Sequence, residues 1–205
     1  MIRKLVSFAM LALAATDAGV PMPVQQPQKE ISMSDSQFWS IIEASDPSAD
    51  HDQQIGNLHR QLDLLSTEDV AAFQAQFDRK IADAYSWDLW GAAFVIHGGA
   101  GDDGFEYFRC WLISRGQATY EAALADPDAL ARLIPDTAHE PLELEGLAYV
   151  GFGIWQQRTG LGPRDFPNAA AGASEPKGKP FEEDEAELAA RYPKLWARFG
   201  GHPLG

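Results

Sequence analysis

The sequence predicts an all-α protein: a single helical domain of about six to eight helices around a central aromatic-rich helical hairpin. Three observations predict it. From Met33 onward the apolar residues recur at steps of three and four. Two capping-box spacings, Ser34 with Gln37 and Ser66 with Asp69, stand where such runs begin. An alternating apolar–polar pattern bounded by turn residues is missing, apart from one short strand candidate at 92–96.

Ser34 opens the first helix, which carries Phe38, Trp39, Ile41 and Ile42. Ile55, Leu58, Leu62 and Leu65 form the stripe of the second, and Val70, Phe73, Phe77 and Ile81 that of the third; all read as core. Residues 87–97 are apolar nearly all round, with Asp88 as the only charged group, so that helix has to be surrounded by other elements. After a glycine loop at 98–104 comes a second aromatic helix at 105–115, and with Trp87, Trp90 and Trp111 these two form the expected central hairpin. Residues 120–125 and 128–134 read as short helices broken at Pro127, and 142–157 as a helix ending near Gly160. The segment 160–180 holds four glycines and four prolines and is expected to be irregular, either mobile or functional. The last helix is expected over 182–199, with Glu182, Glu183, Asp184 and Glu185 in its first turn and Lys194 and Arg198 near its end, matching the helix dipole.

Composition bounds the function. With 205 residues the chain suits one domain and flanking segments, and 45% hydrophobic against 22% charged residues excludes wholesale disorder. Acids outnumber bases 30 to 16, a net charge of −14, which disfavours nucleic acid and anionic membranes as partners. A lone cysteine, Cys110, can form neither an intramolecular disulfide nor a Cys-based zinc site. At the N-terminus, Arg3 and Lys4 precede an apolar run at 5–15 and small residues at 13–18, the layout of a secretory signal and too short for a membrane span of about 20 residues. A competing reading starts the protein at Met33 as a cytoplasmic chain, with 1–32 an upstream stretch; the Pro/Gln run at 21–28 suits either. The expected organisation is therefore an extension over 1–32, a helical domain over 33–199 and a tail over 200–205, cytoplasmic unless residues 1–18 act as an export signal.

Residues 99–104 literally satisfy G-x-G-x-x-G, but no parallel sheet surrounds them and Asp102 and Asp103 stand where a pyrophosphate would approach. No Walker pattern, H-E-x-x-H or G-x-S-x-G occurs, so no cofactor and no metal is expected. Asp102, Asp103, Glu106 and Arg109 are the most informative polar group. Asp103 is expected to cap the second aromatic helix, Glu106 to complete a capping box and Arg109 to pair with Glu106. At about 100° per residue, however, Arg109 falls about 40° from Phe105, within the core-facing arc, so it is expected to be buried and paired with an acid. His97, ahead of the glycine loop, is expected to close its helix partly buried; with Asp102, Asp103 and His139 it is also imaginable as a metal group, though no spacing fixes that geometry. Cys110 is expected to be a small buried side chain, and the acids at 140–145 a solvated helix start.

Beyond these patterns, the run Leu89-Trp90-Gly91-Ala92-Ala93, Gly98-Gly99, Asp102-Asp103-Gly104-Phe105, Tyr107-Phe108-Arg109, Trp111-Leu112-Ile113 and Gly116 resembles a bacterial domain of unknown function, number 4240. The segment at 120–127, the opening Phe38-Trp39 and the ending Arg191-Tyr192-Pro193-Lys194-Leu195-Trp196 resemble it as well, extending the likeness over 33–199. The resemblance implies Met33 as the start and hints at a regulatory or adaptor setting, and it carries no activity. Two functional readings follow. The first is a non-enzymatic, acidic binding or regulatory module for a basic protein partner or a small ligand. The alternative is a hydrolase-like enzyme at the 98–104 loop, with Asp102 or Asp103 as base, His97 assisting and Arg109 holding an anion. Convergence of these groups would favour the enzyme and dispersal the module, while exposed Trp155, Phe181 or Trp196 would mark a partner surface.

Overall fold

Side chains that can accept a helix's first N–H groups stand where the chain turns helical. In a computed structural model that describes residues 32–167 and 174–205, Ser34 Oγ accepts from the Gln37 N–H at 3.3 Å while Gln37 Oε1 accepts from the Ser34 N–H at 3.1 Å. This reciprocal cap opens α1 (Asp35–Ala44). Asp50, Ser66 and Ser86 likewise cap α2 (His51–Asp63), α3 (Thr67–Asp83) and α4 (Trp87–His97). α5 (Asp102–Ser114), α6 (Gln117–Ala125) and α7 (Leu130–Leu133) follow, the last continuing a 3-10 turn at Pro127–Ala129. A second 3-10 turn, Glu145–Tyr149, runs into α8 (Val150–Thr159), and a third covers Pro163–Asp165. α9 (Glu185–Arg191) and α10 (Pro193–Phe199) end the fold. Among the described residues there is no strand, only an isolated parallel bridge between Ser86 and Lys177.

The fold is all-α, as expected, with differences in where individual helices start and end. Residues 92–96 lie inside α4 and form no strand; Gly98, at φ +72°, closes that helix with its N–H on Phe94 O. The helix expected over 142–157 starts later. Residues 142–144 are not helical; the Leu142 N–H donates to His97 Nε2 at 3.0 Å and the Leu144 N–H to Tyr107 O of α5 at 3.1 Å. The helix expected over 182–199 is two, because Pro193 cannot continue α9 and instead opens α10. Such breaks raise the α-helix count among the described residues to ten. The signal-like layout and the Pro/Gln run lie outside the described residues, as does 168–173 within the glycine- and proline-rich segment. Among the described residues no helix is long and apolar enough to cross a membrane.

Packing follows the apolar stripes. α3 and α2 lie against α8, α1 against α2, and α10 against α4 and α9. Phe38 of α1 stacks on Phe73 of α3 at 5.1 Å. α4 and α5 share an aromatic stack, Trp87 on Trp90 at 5.1 Å and Trp90 on Phe105 at 4.9 Å, continued along α5 through Phe108 to Trp111. Gly91 admits Tyr192, whose ring atoms would lie 2.9 Å from a Cβ at that position; the phenol donates to Asp88 O at 2.9 Å. A buried polar network joins α1, α2 and α5. Gln54 Nε2 donates to Ser114 O at 2.8 Å and Ser45 Oγ at 3.2 Å, and both Gln54 and Ser114 are 0% exposed.

Candidate functional site

The glycine loop positions the residues singled out in the sequence, and it separates them. Trp90 Nε1 anchors it by donating to Ala100 O at 2.8 Å. Gly101 is the N-cap of α5 and offers no side chain, so Asp102 and Asp103 occupy the first turn. The expected cap at Asp103 and capping box with Glu106 do not form: with the helix starting at Asp102, the N3 position is Gly104. Both aspartates are exposed and favour the positive helix end without capping it.

Arg109 turns inward. It is buried as expected, at 7% exposure, but no carboxylate comes within 4.0 Å of it among the described residues, and the expected pairing with Glu106 or another acid is absent. Instead Nη1 donates to Ile81 O at 2.8 Å, and the guanidinium lies 4.7 Å from the Tyr85 ring and 4.9 Å from the Phe105 ring. Ile81 sits in the last turn of α3, where carbonyls lack partners within the helix and the dipole is negative. A helix end and two ring faces thus do the work assigned to an acid. Burial lowers the Arg109 pKa, opposed by the more distant Glu106 carboxylate.

His97 ends α4 at 8% exposure, with Nε2 accepting from the Leu142 N–H at 3.0 Å and its ring edge-on to Phe108 at 5.8 Å. Burial pushes its pKa down to about 4, so the imidazole is neutral and its acceptor nitrogen is occupied. It is not brought together with Asp102, Asp103 and His139, and among the described residues no group of three or more His, Cys, Asp or Glu could hold a metal ion. Cys110 is buried, and desolvation pushes its thiol up to about 12. Trp155 is buried, and Phe181 is packed between Trp87 at 6.2 Å and Phe94 at 5.4 Å, so neither presents a patch; Trp196 is half-buried against the core.

What does converge is a face of acids and phenols. The Leu144 bond to Tyr107 O lays residues 143–145 along the outer side of α5. Glu143 Oε1 comes 3.5 Å from the Cβ position of Gly104, and the Tyr149 hydroxyl donates to Glu145 Oε1 at 3.1 Å. Tyr149 is 57% exposed. Both phenols are held above the ordinary tyrosine value: Tyr107 by desolvation first and then by Glu145 and Asp103, Tyr149 first by its bond to Glu145 and then by the charge of that group. Asp102, Asp103, Glu106, Glu143 and Glu145 share this face, and among the described residues none of the five is in an ion pair.

Of the residues expected to form a site, Asp102, Asp103 and Glu106 therefore face outward here, while His97 and Arg109 are sealed into the core. Tyr107, Glu143, Glu145 and Tyr149 were missed. The acids at 140–145 read as a helix start, and only the bond between Leu144 and Tyr107 O brings them to α5. A family model described as a protein of unknown function, DUF4240, matches residues 33–157; the ending at 191–196 lies beyond that match. No curated protein and no solved structure matches the chain.

Proposed function

Because the chain belongs to the DUF4240 family, whose description assigns no activity, we propose from the geometry of its own side chains that it is a non-enzymatic binding module of the bacterial cytoplasm. Its partner is a basic protein segment, taken on the outer face of α5. One observation carries this reading: five carboxylates gathered on one face, none of them in an ion pair among the described residues, beside two phenols that offer flat apolar surface and hydroxyls. Lys and Arg side chains meeting such a face regain there the counter-charges that the fold does not supply, and a net charge of −14 steers them to it.

The test is fluorescence anisotropy of a labelled deca-arginine peptide with the full chain, at 50 and at 200 mM salt. Saturable binding that weakens as salt rises is expected. The double variant Asp103→Lys with Glu106→Lys is expected to weaken it at least about tenfold. A control of equal charge change on other helices, Glu68→Lys with Glu121→Lys, is expected to matter far less. Equal losses in the two double variants would mean attraction by net charge alone and would overturn the assignment to α5.

A further inference from the structure

We propose that the cavity walled by His51, Trp111, Arg115, Thr137, His139 and Glu140 binds a small oxyanion-bearing molecule, a carboxylate or a phosphate monoester, with Arg115 as its anion-binding residue. This is a second site, independent of the acidic face of α5. The cavity has a volume of about 330 Å³ and lies where the start of α2 and the end of α5 meet the segment 135–142. That is room for a metabolite-sized molecule.

The guanidinium explains why an anion belongs there. Arg158, Arg191 and Arg198 each meet a carboxylate, Asp63, Asp88 and Asp136 respectively. Arg115, half-buried, has no carboxylate within 4.0 Å among the described residues. Its Nε donates to Ser114 Oγ at 3.0 Å and its Nη2 to Gln54 Oε1, which leaves Nη1 without an acceptor among the described residues. Both acceptors belong to the buried network of α1, α2 and α5, and both are 0% exposed. A polar network is costly to bury unless every member is satisfied. Here it holds the rear of a guanidinium rigidly and leaves the two-pronged donor that suits a carboxylate or phosphate. Fixing the donor beforehand lowers the ordering cost of binding.

The other walls fit the same ligand. The Trp111 ring lies 5.9 Å from the guanidinium, and His51, Thr137 and His139, residue types that carry side-chain donors, line the same cavity. Glu140, exposed, is the acid among the lining residues, and Asp46, outside the lining, is the carboxylate whose charge acts on the Arg115 guanidinium; removing the Glu140 charge is expected to favour an anion in the cavity.

The experiment is an NMR titration of the full chain with inorganic phosphate and, separately, with acetate, following the Trp111 indole and the His51 and His139 ring signals. Saturable shifts at these signals are expected, with at least about tenfold weaker binding in Arg115→Gln and severalfold stronger binding in Glu140→Gln. Arg60→Gln, an exposed arginine outside the cavity, is expected to leave the affinity unchanged. Shifts that never saturate, or equal affinity in Arg115→Gln and the wild type, would overturn the proposal. Should Arg115→Gln unfold, Glu140→Gln decides alone: failure to strengthen binding overturns the site.

Discussion

At the scale of single residues, the two buried polar groups of the aromatic core make opposite demands on the solvent. His97 is held neutral with its acceptor nitrogen on the Leu142 N–H, and burial pushes its pKa from 6.5 to about 4. The folded value lies below the unfolded one, so as pH falls through 6.5 the unfolded chain takes up a proton that the folded chain refuses. Stability is therefore unaffected above that pH, falls between about 6.5 and about 4, and then levels off for this group. In His97→Gln, which keeps an acceptor and does not titrate, urea denaturation is expected to lose roughly 3 kcal/mol less than the wild type across that window. Parallel pH profiles would show that His97 is protonated in the fold. Arg109 is charged and sealed, compensated by Ile81 O and two ring faces. Removing it leaves one carbonyl without a donor and no buried anion, so Arg109→Met is expected to cost about 1–3 kcal/mol. That is below the roughly 3–5 kcal/mol lost when one partner of a buried ion pair is deleted. A loss at the upper figure in thermal or urea melts would point to an acid partner after all.

At the scale of elements, what was legible in the sequence depended on how local its cause is. α1 and α3 announce themselves through Ser34 and Ser66 and the apolar stripes that follow, because cap and stripe both lie within the helix they define. α4 is legible through its lack of a polar face. The late start of α8 was not, since residues 142–144 are docked on α4 and α5 through bonds to His97 Nε2 and Tyr107 O that are remote in sequence. The acidic face was half legible for the same reason: Asp102, Asp103 and Glu106 stand together in the chain, but Glu143 and Glu145 join them only through that docking. α10 shows how a distant residue can also supply a cap. Its N-cap, Tyr192, makes no side-chain cap bond, and Asp128 Oδ1 accepts from the N–H groups of Lys194 at 3.0 Å and Leu195 at 2.9 Å. Asp128→Ala is expected to cost about 1–2 kcal/mol in melting experiments, with Asp128→Asn retaining part of that through its remaining acceptor oxygen. Gly91→Ala drives a methyl group into the Tyr192 ring where α4 meets α10, and is expected to cost a further 1–3 kcal/mol or so.

For the molecule as a whole, charge is the quantity that ties stability to function. Among the described residues Lys80 pairs with Asp35 and Arg198 with Asp136 one to one, while Arg191 serves both Asp88 and Glu187 and Lys194 both Asp126 and Asp128. With 30 acids against 16 bases, carboxylates are left over, and five of them crowd the outer side of α5. Their mutual repulsion acts within the folded state and is relieved by salt, whose screening length shortens from about 30 Å at 10 mM to about 8 Å at 150 mM. The melting temperature is therefore expected to rise over that interval. Glu106→Lys, placed among the other four, is expected to raise the melting temperature at 10 mM by about 1–2 °C, a gain that shrinks at 150 mM. The same substitution removes part of the surface proposed to hold a basic segment, so the stabilised variant is also the weaker binder. Opposite signs of the two effects in one variant would mean that the face is maintained against stability, as binding surfaces commonly are. Should Glu106→Lys leave both melting and peptide binding unchanged, those carboxylates are too well solvated to feel one another, and a cation would gain nothing by meeting them there.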